Sequence, residues 1–122
     1  MIRRYVRVPD GNRSATGGPS RGRPVGIVIG HRPNNTGRIY FGFSRCSPVD
    51  TFDTVNGDEI AFGRLNSCEF WFDPDTDSFS SSLCREMYSA FNDIIPEIEW
   101  VIEEIVEHPE RACRMPKHVE TP

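Results

Sequence analysis

"VGIVIGHRPNNTGRIYFGFSRC", residues 25–46, sets two apolar runs on either side of a turn cluster, and that order decides the fold. Residues 25–31 are β-branched and apolar, residues 32–37 ("RPNNTG") concentrate turn formers, and residues 38–46 alternate with period two. The stretch predicts an antiparallel hairpin. In its second strand Ile39, Phe41 and Phe43 share one face while Tyr40, Gly42 and Ser44 share the other. A glycine between two aromatics either leaves room for something to lie against the backbone or marks a β-bulge.

Upstream, "IRRYVRV" (2–8) alternates apolar residues with arginines and predicts a half-exposed edge strand. Residues 9–24, "PDGNRSATGGPSRGRP", offer almost nothing to bury, which predicts a mobile basic loop, either disordered or ordering over an anion. Downstream, Pro48 stops the strand. Asp50, Thr51 and Asp53 are candidate caps for a short, glycine-interrupted helix over about 51–65, with Phe52, Val55, Ile60, Ala61 and Leu65 as its apolar positions. "SCEFWFD" (67–73) alternates again, with Phe70 and Phe72 opposite Trp71, and adds a strand.

After the polar connection "DPDTDSFSSSL", the spacing of Leu83, Met87, Phe91 and Ile94, and then of Ile98, Val101, Ile102 and Ile105, predicts a long helical segment. Glu97, Glu99, Glu103, Glu104 and Glu107 fall largely on its opposite side. Pro96 suits the first turn of a second helix, so a kink belongs near 94–96, and Pro109 closes that helix. The last residues, 115–122, read as a frayed tail. The whole predicts an α+β fold: an antiparallel sheet of about four or more strands, packed by the short middle helix and a kinked C-terminal helical segment. The apolar helix stripe is expected to cover one sheet face, leaving the other, with its arginines and aromatics, for a partner or a second subunit.

At 122 residues the chain predicts one domain, 1–122, and 37% hydrophobic with 26% charged residues places it among globular proteins. No apolar run reaches the roughly 20 residues that cross a bilayer, and the N-terminus lacks the apolar core of a secretory signal, so the expected location is the cytoplasm. Cys46, Cys68, Cys84 and Cys113 form no C-x-x-C pair and read as reduced thiols.

The net charge of -4 hides a division. Residues 1–45 carry nine arginines against one acid, and the remainder five bases against seventeen acids. Opposite halves favour docking on each other and leave a basic face available for an anion. A single lysine, Lys117, stands among fourteen basic residues, a bias that either reflects codon usage or exploits the forked guanidinium for phosphate.

Metal chemistry finds little footing. Asp73, Asp75 and Asp77 imitate the start of a calcium loop, but Ser78 stands where its turn needs glycine and Cys84 where it needs glutamate. His31, His108 and His118 have no ligand spacing. No catalytic residues, metal or cofactor are assigned, because pairs such as Ser44 or Cys46 with Asp50 and His31 assemble only on paper. Phosphate is better served: no cradle loop is present, so arginine forks and helix N-termini would hold it. Arg45, Arg64, Arg85, Arg111 and Arg114 lie near ordered elements, and Phe43, Phe62, Trp71, Tyr88 and Phe91 offer rings on which a base would stack. The acidic second half repels an extended nucleic acid, so a compact anion is the expected ligand.

Within "IYFGFSRCSPVDTFDTVNGDEIAFGRL" (39–65), the run F-S-x-C-S-P-x-D-x-F followed by I-A-x-G-R resembles small bacteriophage proteins. The order of N-terminal strands, a short middle helix and a C-terminal helix with terminal arginines is similar to the first-described Thoeris anti-defence sponge family. That resemblance implies a non-enzymatic homo-oligomer, hexameric in that family, acting in the cytoplasm of the infected bacterial host. It would sequester a small nucleotide-derived signal, a cyclic ADP-ribose isomer or in some members a cyclic oligonucleotide, without cleaving it. Carried onto this chain, Arg64 is the motif arginine, Arg111 and Arg114 the C-terminal pair, and Phe91 or Tyr88 the stacking ring; Arg45, read from its place near ordered elements and not from the resemblance, completes the expected ligand-binding set. The alternative is an inhibitor that binds a host protein directly through the acidic C-terminal helix.

Overall fold

The computed structural model describes residues 1–8, 22–33, 37–46 and 53–112. Most of the expected basic loop (9–21), the tail with Arg114, and Asp50, Thr51 and Phe52 lie outside the described residues. Five strands, β1 (Ile2–Arg7), β2 (Pro24–His31), β3 (Ile39–Arg45), β4 (Trp71–Asp73) and β5 (Ser78–Phe79), form one antiparallel sheet in sequence order. Helix α1 (Thr54–Asn66) lies between β3 and β4 in the chain, and α2 (Ser81–Ala90), α3 (Ile95–Glu107) and the short α4 (Pro109–Ala112) follow the sheet. The fold is α+β, as the residue pattern predicts.

The hairpin register pairs Val28 with Phe43 and Ile29 with Gly42, which sorts side chains to two sides. Val28, Ile39, Phe41 and Phe43 pack with Leu83, Met87, Phe91, Ile98, Val101 and Ile105 in the larger core. Ile27 and Ile29 pack with Ala61 and Leu65 in a smaller one. β2 is therefore buried on both faces, which is why its sequence is a continuous apolar run and not an alternation. This corrects the expectation of an open sheet face. α1 covers it, making three layers: α1, the sheet, and α2 with α3.

α1 reaches the sheet by backbone more than by side chains. Asp53 caps it, accepting from the Asn56 amide at 3.1 Å. Only Ala61 and Leu65 are buried, whereas Val55 is 70% exposed and Ile60 42%, so two of the expected apolar positions face outward. What binds α1 closely is Gly42: a Cβ there would meet the carbonyl of Ala61 and lie 2.8 Å from the Leu65 nitrogen. The space beside Gly42 is filled by the chain's own helix, not by a ligand.

Part of the opposed charge of the two halves is spent inside the molecule. Successive arginines on the edge strand β1 point to opposite sides: Arg3 Nε meets Asp58 Oδ1 of α1 at 2.7 Å, and Arg4 Nε meets Glu104 Oε1 of α3 at 3.2 Å. Each partly exposed pair contributes roughly 1 kcal/mol or less, so the pairs fix which helix goes to which face more than they stabilise.

α2 and α3 are separated at 91–94, with Pro96 in the first turn of α3, so the kink falls where proline chemistry puts it. The acidic row is less uniform than its spacing implies, since Glu97 is buried and Glu104 is paired. Pro109 begins α4 after α3 has ended at Glu107. The aspartates of "DPDTDS" close the β4–β5 hairpin, where Asp73 Oδ1 accepts from the Asp75 amide at 3.0 Å and Asp77 takes a positive φ of 50°. Among the described residues no helix is long and apolar enough to cross a membrane.

Two glycine substitutions should have opposite signs. Gly42→Ala forces α1 off β3 and should cost about 3 kcal/mol, whereas Gly63→Ala, which meets nothing within 4 Å on the outer side of α1, should stabilise by about 0.5–1 kcal/mol. Urea unfolding of the two variants against the parent protein measures both.

Candidate functional site

The described arginines are mostly committed. Beyond Arg3 and Arg4, Arg7 Nη1 donates to the Gly22 carbonyl at 3.1 Å, and Arg38 lies 3.8 Å over the Trp71 ring. Arg45 grips Asp93 with both Nη atoms at 3.0 Å, tying the end of β3 to the turn between α2 and α3. That hydrogen bonding holds the Asp93 carboxyl below its usual range. Arg45 is a structural clamp with 15% of its side chain exposed. Phe91, 5.4 Å beneath Arg45, is fully buried against Gly26, where a Cβ would lie 2.7 Å from its ring. The structure therefore removes Phe91 as a stacking ring, because its faces are used by the core.

Tyr88 is exposed on α2, and burial and then the carboxylates of Glu99 and Glu103 push its phenol up. Arg111 belongs to α4, which docks where β1 begins and β2 ends. The Met1 ammonium donates to the Arg111 carbonyl at 3.4 Å, and the Ala112 carbonyl accepts from the Arg32 amide at 3.1 Å and lies 3.2 Å from His31 Nδ1. Burial, and then the N-terminal ammonium, hold the His31 imidazole below its ordinary pKa. Arg45 pairs with Gly26 at the other end of β2. Five residues of strand separate the two ends, roughly 17 Å, so Arg45 and Arg111 stand at opposite ends of β2. Within one chain the expected constellation is not gathered in one place.

Arg64 differs from the other candidates. β4 pairs with β3 only near Ile39 and Tyr40, and the Phe41 amide still reaches the Phe70 carbonyl at 2.8 Å, but Phe43 lies beyond that pairing. Arg64, in the last turn of α1, caps this sheet edge: Nη1 donates to the Phe43 carbonyl at 2.9 Å and the guanidinium lies 4.6 Å over the Phe43 ring. Neither contact neutralises it. Among the described residues no carboxylate comes within 4.0 Å, the limit for an ion pair.

Beside Arg64 lies an open cleft of about 320 Å³ lined by Gly63, Ser67, Glu69, Phe70, Ser82, Arg85 and Glu86. One wall is the end of α1 and the other the first turns of α2. Two serines fix the walls through the backbone of Glu69. Ser67 Oγ donates to the Arg64 carbonyl at 2.6 Å and accepts from the Glu69 amide at 3.3 Å. Ser80, buried, donates to the Glu69 carbonyl at 2.9 Å and accepts from the amides of Trp71 at 3.1 Å and Leu83 at 3.2 Å, the last being the N-cap of α2. Cys68 between them holds a positive φ of 60°.

Sequence reasoning reached Arg64 and Arg85 but not Glu69, Ser67, Ser82 or Glu86. The available signal was Ser80, a cap-forming residue immediately before an apolar helical run, inside a stretch read only as a polar connection. Among the described residues no group of three or more histidine, cysteine or acidic side chains is placed to hold a metal ion. No family model matches the chain, and no curated protein or solved structure does either.

Ser80→Ala should cost about 2–3 kcal/mol, since it removes a helix cap and strands two further backbone groups. Ser82→Ala on the open wall should stay within about 0.5 kcal/mol. Thermal melts of the two variants test whether Ser80 organises the cleft.

Proposed function

We propose that the protein is a non-enzymatic binder that holds a small nucleotide-derived anion and releases it unchanged, with the cleft between α1 and α2 as its site. Arg64 carries the reading. Its guanidinium is oriented by the Phe43 carbonyl and ring, keeps its charge uncompensated, and lines a concave surface beside Arg85. Forked guanidinium held in advance suits a phosphate, because little orientation entropy remains to be lost on binding. Arg85 adds a second, exposed fork whose pairing with the adjacent Glu86 at 3.2 Å is weak enough to yield. The resemblance to the anti-defence sponges supplies the ligand class, cyclic ADP-ribose isomers and cyclic oligonucleotides, and the setting, a homo-oligomer in the cytoplasm of a phage-infected bacterium.

The test is to incubate the protein with a panel of those molecules, remove free ligand, denature the protein and identify what is released by mass spectrometry. One intact molecule is expected from the parent, and less than about a tenth as much from Arg64→Ala/Arg85→Ala, which should remain folded with a melting temperature lowered only by the loss of the Arg64 bond to the Phe43 carbonyl. A cleaved product would overturn the non-enzymatic reading, and full capture by the double variant would overturn the site.

A second reading is favoured by one observation: Glu99 and Glu103 are exposed beside Tyr88 and neither is paired among the described residues. That surface suits a basic host protein. Glu99→Lys/Glu103→Lys should then abolish capture of that protein in a pull-down from host lysate, and an unchanged pull-down would remove the reading.

A further inference from the structure

The cleft is small and it is mixed in chemistry. Its volume of about 320 Å³ stands at the lower end of the roughly 300–1,000 Å³ of small-molecule sites, enough for one sugar phosphate, so a larger nucleotide would seat only that part within it. Its one aromatic, Phe70, is buried and packs edge-on against Phe43 with ring centroids 5.2 Å apart, so no ring face is left for a base to stack on. Arginine donors share the cleft with carboxylate acceptors. A bare phosphate would use only the arginines and be repelled by the acids. A ligand that joins an anion to hydroxyl donors would use both.

The two carboxylates differ in what they already do. Glu86 is paired with Arg85, while the Glu69 side chain has no partner among the described residues. The Glu69 main chain is nevertheless held on both sides, by Ser67 from α1 and by Ser80 from α2, so its carboxylate is an unspent acceptor on a fixed stem. A carboxylate facing a sugar accepts hydrogen bonds from its hydroxyls, the arrangement that reads the ribose 2′-hydroxyl in dinucleotide-binding folds.

Resting on the anion-binding reading of this cleft, we infer that Glu69 is its specificity-determining residue: it accepts from the 2′-hydroxyl of a ribosyl phosphate whose phosphate lies on Arg64 and Arg85, so the cleft selects ribonucleotides over 2′-deoxyribonucleotides and leaves the base outside. Base identity then has little influence on affinity. A hydrogen bond to a charged acceptor is worth roughly 1.5 kcal/mol or more, which sets the expected discrimination at about tenfold.

Calorimetric titrations of the full chain with AMP, 2′-deoxy-AMP, GMP and inorganic phosphate test this. AMP and GMP are expected to bind alike and at least about tenfold more tightly than 2′-deoxy-AMP. Glu69→Gln, which keeps the shape and the backbone bonds, should reduce that ratio to about threefold or less while leaving the affinity for 2′-deoxy-AMP unchanged or raised by relief of charge repulsion. Equal binding of AMP and 2′-deoxy-AMP, both lost in Arg64→Ala, would overturn the role of Glu69 and leave the anion site standing. Undiminished discrimination in Glu69→Gln would likewise overturn it. Failure of every probe to bind would overturn the anion site and this inference together.

Discussion

The contact between α1 and the bare backbone of Gly42 is the constraint from which the rest of this structure follows. With no Cβ in the way, the turn of α1 from Ala61 to Leu65 rests directly on β3, and a helix with only two buried residues becomes a full layer. Side-chain burial alone would hold such a helix poorly, at about 25 cal/mol per Å² over so little apolar area. Close packing of main chain replaces it. The same contact sets the height of the last turn of α1 above the sheet, and so brings Arg64 to the Phe43 carbonyl.

From that placement the chemistry of the surface can be traced. Several other guanidinium groups on the described surface close the fold: Arg3 and Arg4 hold one helix to each face of the sheet, and Arg45 secures the turn before α3. An arginine locked to a carboxylate has little left for a ligand, and a ring buried on both faces has no surface on which a base can stack. These two facts withdraw Arg45 and Phe91 from a site within one chain. They leave the cleft at Arg64, organised by serine hydroxyls whose bonds converge on Glu69 from both helices.

Ser80 shows how one small residue does several jobs at once. Its hydroxyl serves a helix cap, a strand amide and a carbonyl in the adjoining wall, in a buried position where each of those groups would otherwise be stranded. Cleft geometry and the stability of α2 are thereby coupled.

What the sequence by itself determined is whatever rests on local periodicity and on residues with fixed backbone demands. The 25–46 hairpin, the edge character of β1, the break before Pro96 and the α+β class all follow from period and proline geometry, which act within a few residues, whereas capping chemistry narrowed the start of α1 only to Asp50, Thr51 or Asp53. Tertiary structure alone decided the second covered face, the outward turn of Val55 and Ile60, the burial of Glu97 and the sharing of one cleft by Glu69, Arg64 and Arg85. These depend on how separate elements pack, which local periodicity does not report. An arginine in a sequence looks the same whether a distant carboxylate claims it, as Asp93 claims Arg45, or only a carbonyl and a ring do, as at Arg64. Even the glycine at position 42 announces a close approach without naming its occupant, because the permission is local and the partner is not.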